Sequence, residues 1–138
     1  MSVSPEVGAL VRRARRIAVV GLSDDPFRPS HSVASDLQRA GYEIVGVHPA
    51  GGTVLGVTRY PDLRAAAADG PIDIVDIFRR SDAIPSLLDD LLAVRPSLVW
   101  MQLGVEHPAT ATALEAAGIT VVQDRCLAVE LRSIRQGA

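Results

Sequence analysis

Residues 16–32, RIAVVGLSDDPFRPSHS, hold the decision on the fold. Arg16 to Leu22 open with a continuous β-branched run that does not alternate apolar and polar positions. Such a run suits a strand covered on both faces, the habit of parallel sheets. Gly21 closes it and a polar, proline-rich loop follows. Val33, Ala34, Leu37 and Ala40 then repeat at helical spacing up to a capping Gly41. Buried strand, loop and amphipathic helix, in that order, make the first half of a βαβ unit.

The same rhythm extends in both directions. Upstream, Ser4-Pro5-Glu6 reads as an N-cap, a first-turn proline and an early acid, with Val7, Leu10, Val11 and Ala14 as the apolar stripe. Downstream, YEIVGVHP (42–49) is a second strand. GGTVLGVTRYPDL (51–63) is turn-rich, with a short edge strand near Val57 and a small helix over Leu63 to Ala68. PIDIVDIF (71–78) is a third buried strand. The segment 81–96 reads as a helix capped by Ser81, with Pro85 in its first turn and a stripe of Ile84, Leu87, Leu88, Leu91 and Leu92. SLVWMQLG (97–104), PATATALEAAG (108–118) and ITVVQ (119–123) continue as strand, helix and strand, and Cys126 to Ile134 reads as a last helix. The expectation is a single α/β domain over residues 1–138, Rossmann-like and doubly wound, with a mostly parallel sheet. Six strands numbered in chain order are expected to lie as 3-2-1-4-5-6.

Composition narrows the function. A chain of 138 residues with 48% apolar content is long and hydrophobic enough to bury one core. A net charge of −2 argues against nucleic acid as a partner, and RRARR (12–16) reads as a solvated helix face. The single cysteine, Cys126, excludes an intrachain disulfide and fits a reducing cytoplasm, the expected location. No apolar run approaches the roughly 18 residues of a membrane span. IAVVGL, which follows the N-terminal arginines, is too short for a secretory core. No membrane partner is expected either.

In doubly wound sheets, ligands bind outside the carboxyl ends of the strands, where the winding reverses. That crevice is expected between the strand ending at Gly21 and the one ending near Phe78. A nicotinamide or flavin site would carry G-x-G-x-x-G from Gly21, but Ser23 and Pro26 stand at the second and third glycine positions. The second strand ends in His48-Pro49, where an NAD site wants an acid for the ribose. G-x-x-x-x-G-K-[ST] is absent as well. A phosphate site of another build remains. Ser30 or Ser32 would cap a helix whose first N–H groups face an anion, and Arg28 would add a planar charged fork. Pro26 and Pro29 would stiffen the loop. An ordinary capped helix with a proline-rich entry explains the same residues, and this stretch alone leaves both readings open.

The ordered set of segments resembles the small stand-alone CoA-binding domain proteins, which are related to the CoA-binding domain of succinyl-CoA synthetase. The pieces are IAVVGLSDDPFRPSHSVA, GYEIVGVHP, VLGVTRYPDL, IDIVDIFRR, VWMQLGV and QDRC, spread from about Ile17 to Glu130. The resemblance implies coenzyme A as ligand. It implies a phosphate loop of Gly21, Ser23, Arg28, Pro29 and Ser30, with His48 and Pro49 bordering the adenosine. Phe78 and Arg79 would lie beside the nucleotide, Arg79 toward a phosphate, and Gln102, Leu103 and Gly104 would flank the pantetheine arm. Two positions depart from the family habit. His48 stands where Asn is common before the proline, and Leu127 stands where a proline often follows the cysteine.

No catalytic constellation is legible, and an enzyme is not expected. Ligase chemistry in the synthetase uses a phosphorylated histidine and a nucleotide-binding subunit, both outside the CoA domain. His31, His48 and His107 have no metal-ligand spacing, and no Ser-His-Asp order sits on a nucleophile turn. Asp73 and Asp76 point to opposite faces of their strand, and Asp76 is expected to accept hydrogen bonds from loop N–H groups. The reading is a protein that binds CoA or an acyl-CoA, its protein partners unknown. Two alternatives stand beside it: an accessory subunit supplying CoA to a separate enzyme, and a thiol redox-responsive protein. The second rests on Cys126, at the carboxyl edge of the last strand and the opening of the last helix. At about 4.8 Å per strand, two strand spacings from the crevice come to about 10 Å, within reach of a pantetheine arm.

Overall fold

The computed structural model describes residues 3–136. The chain runs α1 (Pro5–Arg13), β1 (Arg16–Val20), α2 (Pro29–Arg39), β2 (Glu43–Val47), β3 (Thr53–Val54), β4 (Val57–Tyr60) and α3 (Leu63–Ala68). It continues with β5 (Ile74–Ile77), a 3₁₀ segment (Ser81–Leu87), α4 (Leu88–Val94), β6 (Leu98–Met101), α5 (Pro108–Ala116), β7 (Thr120–Val122) and α6 (Leu127–Gln136). The sheet order is β3-β4-β2-β1-β5-β6-β7, parallel except where β3 pairs antiparallel with β4. Leaving out that two-residue strand, the order is the expected 3-2-1-4-5-6.

Strand residues divide between two cores by parity, because successive side chains leave a strand on opposite faces. Ile17, Val19, Ile44, Ile74, Leu98 and Trp100 pack with α1, α2 and α6. Ala18, Val20, Val45, Val75, Ile77, Val99 and Met101 pack with α3, α4 and α5. All five residues of β1 are buried, which is why its sequence shows no alternation. Ser4 accepts from the Val7 N–H as the α1 cap, with Pro5 behind it. Among the described residues no helix is long and apolar enough to cross a membrane.

Two local expectations fail. Segment 81–87 is 3₁₀ with Arg80 at its N-cap, and α-helix begins only at Leu88. Pro85 is the reason. It has no N–H to donate to Ser81, and its ring disfavours α geometry at Ile84. Freed from capping, the Ser81 hydroxyl accepts from the Glu106 N–H at 3.0 Å instead. The other failure concerns the aspartates. Asp73 accepts loop N–H groups, from Arg15 at 2.8 Å and Arg16 at 3.0 Å. Asp76 lies fully buried in β5 and neither of its oxygens has a hydrogen-bond partner. Burial pushes its carboxyl pKa well above the usual range, so the proton is retained.

Candidate functional site

β1 pairs with β2 on one side and β5 on the other, so the winding reverses between β1 and β5. Beyond the carboxyl ends of these strands lies a cavity of about 870 Å³. The residues the family resemblance implied line it, together with Cys126, whereas Pro26 and Ser32 do not. Gly21, Ser23, Arg28, Pro29 and Ser30 come from the β1–α2 loop, and His48 and Pro49 follow β2. Phe78 and Arg79 follow β5, Gln102, Leu103 and Gly104 follow β6, and Cys126 follows β7. Val33, Arg80 and Val105 complete the wall. Of these, Val33 is legible in the sequence as part of the α2 apolar stripe, and Arg80 and Val105 carry no site signal of their own there.

The β1–α2 loop is held by its own polar groups. Gly21 has φ +88°, and a Cβ there would stand 2.5 Å from the Phe78 carbonyl oxygen. Only glycine allows β1 and β5 to close so tightly at the crevice. The Ser23 hydroxyl accepts from the Asp25 N–H and the Asp25 carboxylate from the Phe27 N–H, both at 3.0 Å. Neither Ser30 nor Ser32 caps α2. Arg28 occupies the N-cap with no side-chain bond, and Pro29 fills the first turn. Ser32 donates to the Pro29 carbonyl, while the buried Ser30 hydroxyl accepts the Ser23 N–H at 2.9 Å. Ser30 therefore ties loop to helix. With Pro29 lacking an N–H, the helix needs less capping than the sequence suggested.

The remaining walls are equally fixed. His48 Nδ1 accepts from the Ala50 N–H at 3.0 Å and shapes the turn after β2. Buried Gln102 accepts the Leu127 N–H at 3.0 Å, so it anchors the start of α6 as well as lining the cavity. Gly104, at φ +83°, donates to the Asp124 carboxylate at 2.7 Å. Cys126 is half-buried and does not lie inside α6 as expected; its carbonyl accepts the first helical bond, from Glu130, at 3.0 Å.

Charge in the cavity is one-sided. Arg28 and Arg79 are exposed and have no ion pair among the described residues, whereas Arg80 faces Asp82 at 3.3 Å. No described aspartate or glutamate lines the cavity, and no described cluster of His, Cys, Asp and Glu could hold a metal. Val33, Phe78, Leu103 and Val105 give an apolar lining. Such a site can hold a polyanion with an elongated, partly apolar body. Behind the wall stands a further cation, Arg59 of β4, buried and bonded to the Leu22 and Gly51 carbonyls. Nothing in the sequence reading singled it out.

A family profile described as CoA binding domain matches residues 15–132. The chain is 41% identical over 124 residues, 90% of each protein, to the uncharacterized protein YneT of Bacillus subtilis (strain 168). A solved structure from Thermus thermophilus is 40% identical with TM-score 0.88, covering 94% of this chain and 96% of that one. A Pyrococcus horikoshii OT3 structure at 25% identity has TM-score 0.88 over 96% of this chain and 93% of that one. The dinucleotide forming acetyl-coenzyme A synthetase 1 of Ca. Korarchaeum cryptofilum, solved with phosphate and ADP, shares the fold at 20% identity and TM-score 0.67. It matches 83% of this chain and 27% of its own. The ordered motifs, the cavity at the winding reversal and these matches agree: the chain belongs to the CoA-binding domain family.

Proposed function

We propose that the protein binds coenzyme A, or an acyl-CoA, in the cavity at the carboxyl edge of the sheet. The observation that carries the reading is the pair of unpaired guanidinium groups, Arg28 and Arg79, which reach one cavity from different loops. Coenzyme A bears a pyrophosphate and a 3′-phosphate, and two separated forks suit two separated phosphate groups. The phosphate end belongs at the β1–α2 loop, with His48 and Pro49 beside the adenosine. Gln102, Leu103 and Gly104 border the arm as it runs toward Cys126. This is a binding function. No described carboxylate lines the wall, and its charge favours holding an anion.

Titration calorimetry with CoA and with NAD tests the assignment. Ser23 and Pro26 replace the glycines that let a pyrophosphate approach the loop in NAD sites, and His48 replaces the ribose-binding acid. CoA is expected to bind and NAD to bind at least about ten-fold more weakly, a difference of about 1.4 kcal/mol. Tighter binding of NAD would end the proposal.

A further inference from the structure

Arg59 sits on β4, two strands away from β1, yet it bonds to the chain just beyond β1. Its path crosses β2 at Gly46, which pairs with Val19 on one side and Arg59 on the other. A Cβ at Gly46 would stand 2.7 Å from Arg59 Cγ and 2.8 Å from Leu22 Cδ2. The glycine in the middle of a buried strand is thus the gap through which the arginine stem passes. Arg59 Nε donates to the Gly51 carbonyl at 2.6 Å and Nη1 to the Leu22 carbonyl at 3.0 Å. One guanidinium therefore holds the β1–α2 loop and the turn after β2 together.

The Leu22 carbonyl shares a peptide unit with the Ser23 N–H, and in a trans peptide the two point in opposite directions. That N–H donates to Ser30 Oγ at 2.9 Å. The order is guanidinium, peptide, hydroxyl. Ser30 is buried, lines the cavity and accepts in this bond, so its single proton is left to donate. Each bond in such a chain polarises the next. Arg59 is buried, and no carboxylate pairs with it among the described residues. Buried charges are ordinarily paired, and here two carbonyl oxygens are the partners.

We infer that Arg59 is a positioning residue that acts through the Leu22–Ser23 peptide to aim the Ser30 hydroxyl proton at a ligand phosphate, with Gly46 as the passage that admits it. The inference rests on the CoA reading for its ligand. The relay itself exists in the free protein and is tested there too.

Calorimetry with CoA is compared for wild type, Arg59→Met, Ser30→Ala and the double variant. Each single change is expected to weaken CoA about ten-fold, the worth of one charge-supported hydrogen bond. The double variant is expected to lose little more than either single, because the residues form one unit. A purely structural arginine would not produce that coupling. Unchanged affinity in Arg59→Met, or losses that multiply in full, would overturn the relay. In the free protein, amide exchange at Ser23 is expected to speed up about ten-fold in Arg59→Met relative to Leu37 in α2. Unchanged exchange at Ser23 overturns the relay whatever the ligand. Failure of wild type to bind CoA sinks the ligand reading, and the Ser23 exchange still decides the brace. Should Arg59→Met not fold, Arg59→Lys serves in both measurements. It keeps the charge but not the two-carbonyl fork, so it should weaken CoA several-fold and loosen Ser23. No change in either would refute the inference.

Discussion

Two arginines are buried at opposite ends of the same sheet, and they are held differently. Arg16, at the amino end of β1, donates to Glu43 at 3.0 Å, to the Ala66 carbonyl at 3.1 Å and to the Gly70 carbonyl at 2.7 Å. Arg59, at the carboxyl end, donates to two carbonyls and to no carboxylate. The charge at the amino end is closed within the protein. At the carboxyl end it is left open beside a cavity that already holds Arg28 and Arg79. One edge of the sheet pairs its buried arginine with a carboxylate, and the other gives its buried arginine carbonyl partners among the described residues. In doubly wound proteins it is the carboxyl edge at which ligands collect.

The largest effect is expected where the charge is closed. Arg16→Met leaves the Ala66 and Gly70 carbonyls without their donor. It should cost about 2–4 kcal/mol of stability, since a buried acceptor stripped of its partner loses about 1–3 kcal/mol. Urea unfolding measures the loss, and calorimetry on the folded variant should give wild-type CoA affinity. A fall in CoA affinity as large as that of Arg59→Met would erase the distinction between the two ends.

At the open end, Arg28→Ala and Arg79→Ala should each weaken CoA about ten-fold or more while leaving the unfolding midpoint in place. Both side chains are exposed and unpaired, so the folded protein loses no internal bond. Dephospho-CoA separates their roles. The arginine that serves the 3′-phosphate should matter less with that ligand. If neither substitution changes affinity, the loop is an ordinary helix entry.

The sequence made the strands and the cavity wall legible for one reason. Buried parallel strands are continuous β-branched runs, and in this fold the residues just after such runs must face the ligand edge. Gly21, His48, Phe78 and Cys126 were reached by locating strand ends, whereas Gln102, with Leu103 and Gly104, was named only through the family resemblance. Arg59 was not, because VTRY looked like part of a turn-rich stretch and arginine is rarely buried. A signal was present in Gly46, a glycine inside an otherwise β-branched strand, which marks a close approach by another group. Ser30 was misread as a cap because Ser at a helix start usually is one; Pro29 had already removed one of the N–H groups a cap would satisfy. The 3₁₀ segment was hidden because Ile84, Leu87, Leu88 and Leu91 fit a helical stripe whether or not the first turn is α.

Asp76 sharpens the comparison from the middle of the sheet, where a buried acid has neither partner nor outlet. Its folded pKa is raised by burial, so between the unfolded value of 3.8 and the folded value the native state keeps a proton that the unfolded chain has released. Its contribution is therefore fully present below pH 3.8 and is lost as pH rises through that window. Asp76→Asn, which cannot ionise, should flatten the decline. Urea unfolding between pH 4 and 8 should show the variant gaining on wild type as pH rises. Parallel curves would mean that Asp76 does not hold its proton.

The smallest expected change in affinity or stability belongs to Cys126, and it concerns chemistry at the far end of the same cavity. We propose that its thiolate exchanges with CoA disulfide. Sγ attacks one sulfur of the disulfide, the S–S bond breaks, one CoA leaves as its thiolate, and the other stays bonded to Cys126. Electrons balance without an outside oxidant. Half-buried Cys126 lines the cavity at the start of α6. Arg125 beside it faces Glu130 at 3.5 Å. Intact mass after incubation with CoA disulfide should show one CoA adduct that reductant removes and Cys126→Ser lacks. Cys126→Ser should keep wild-type stability and reversible CoA affinity, because the sulfur donates no bond that holds the wall. An unmodified wild-type protein would make Cys126 a packing residue beside Leu127 and Val122, and would leave the charged end of the cavity as the whole of the binding site.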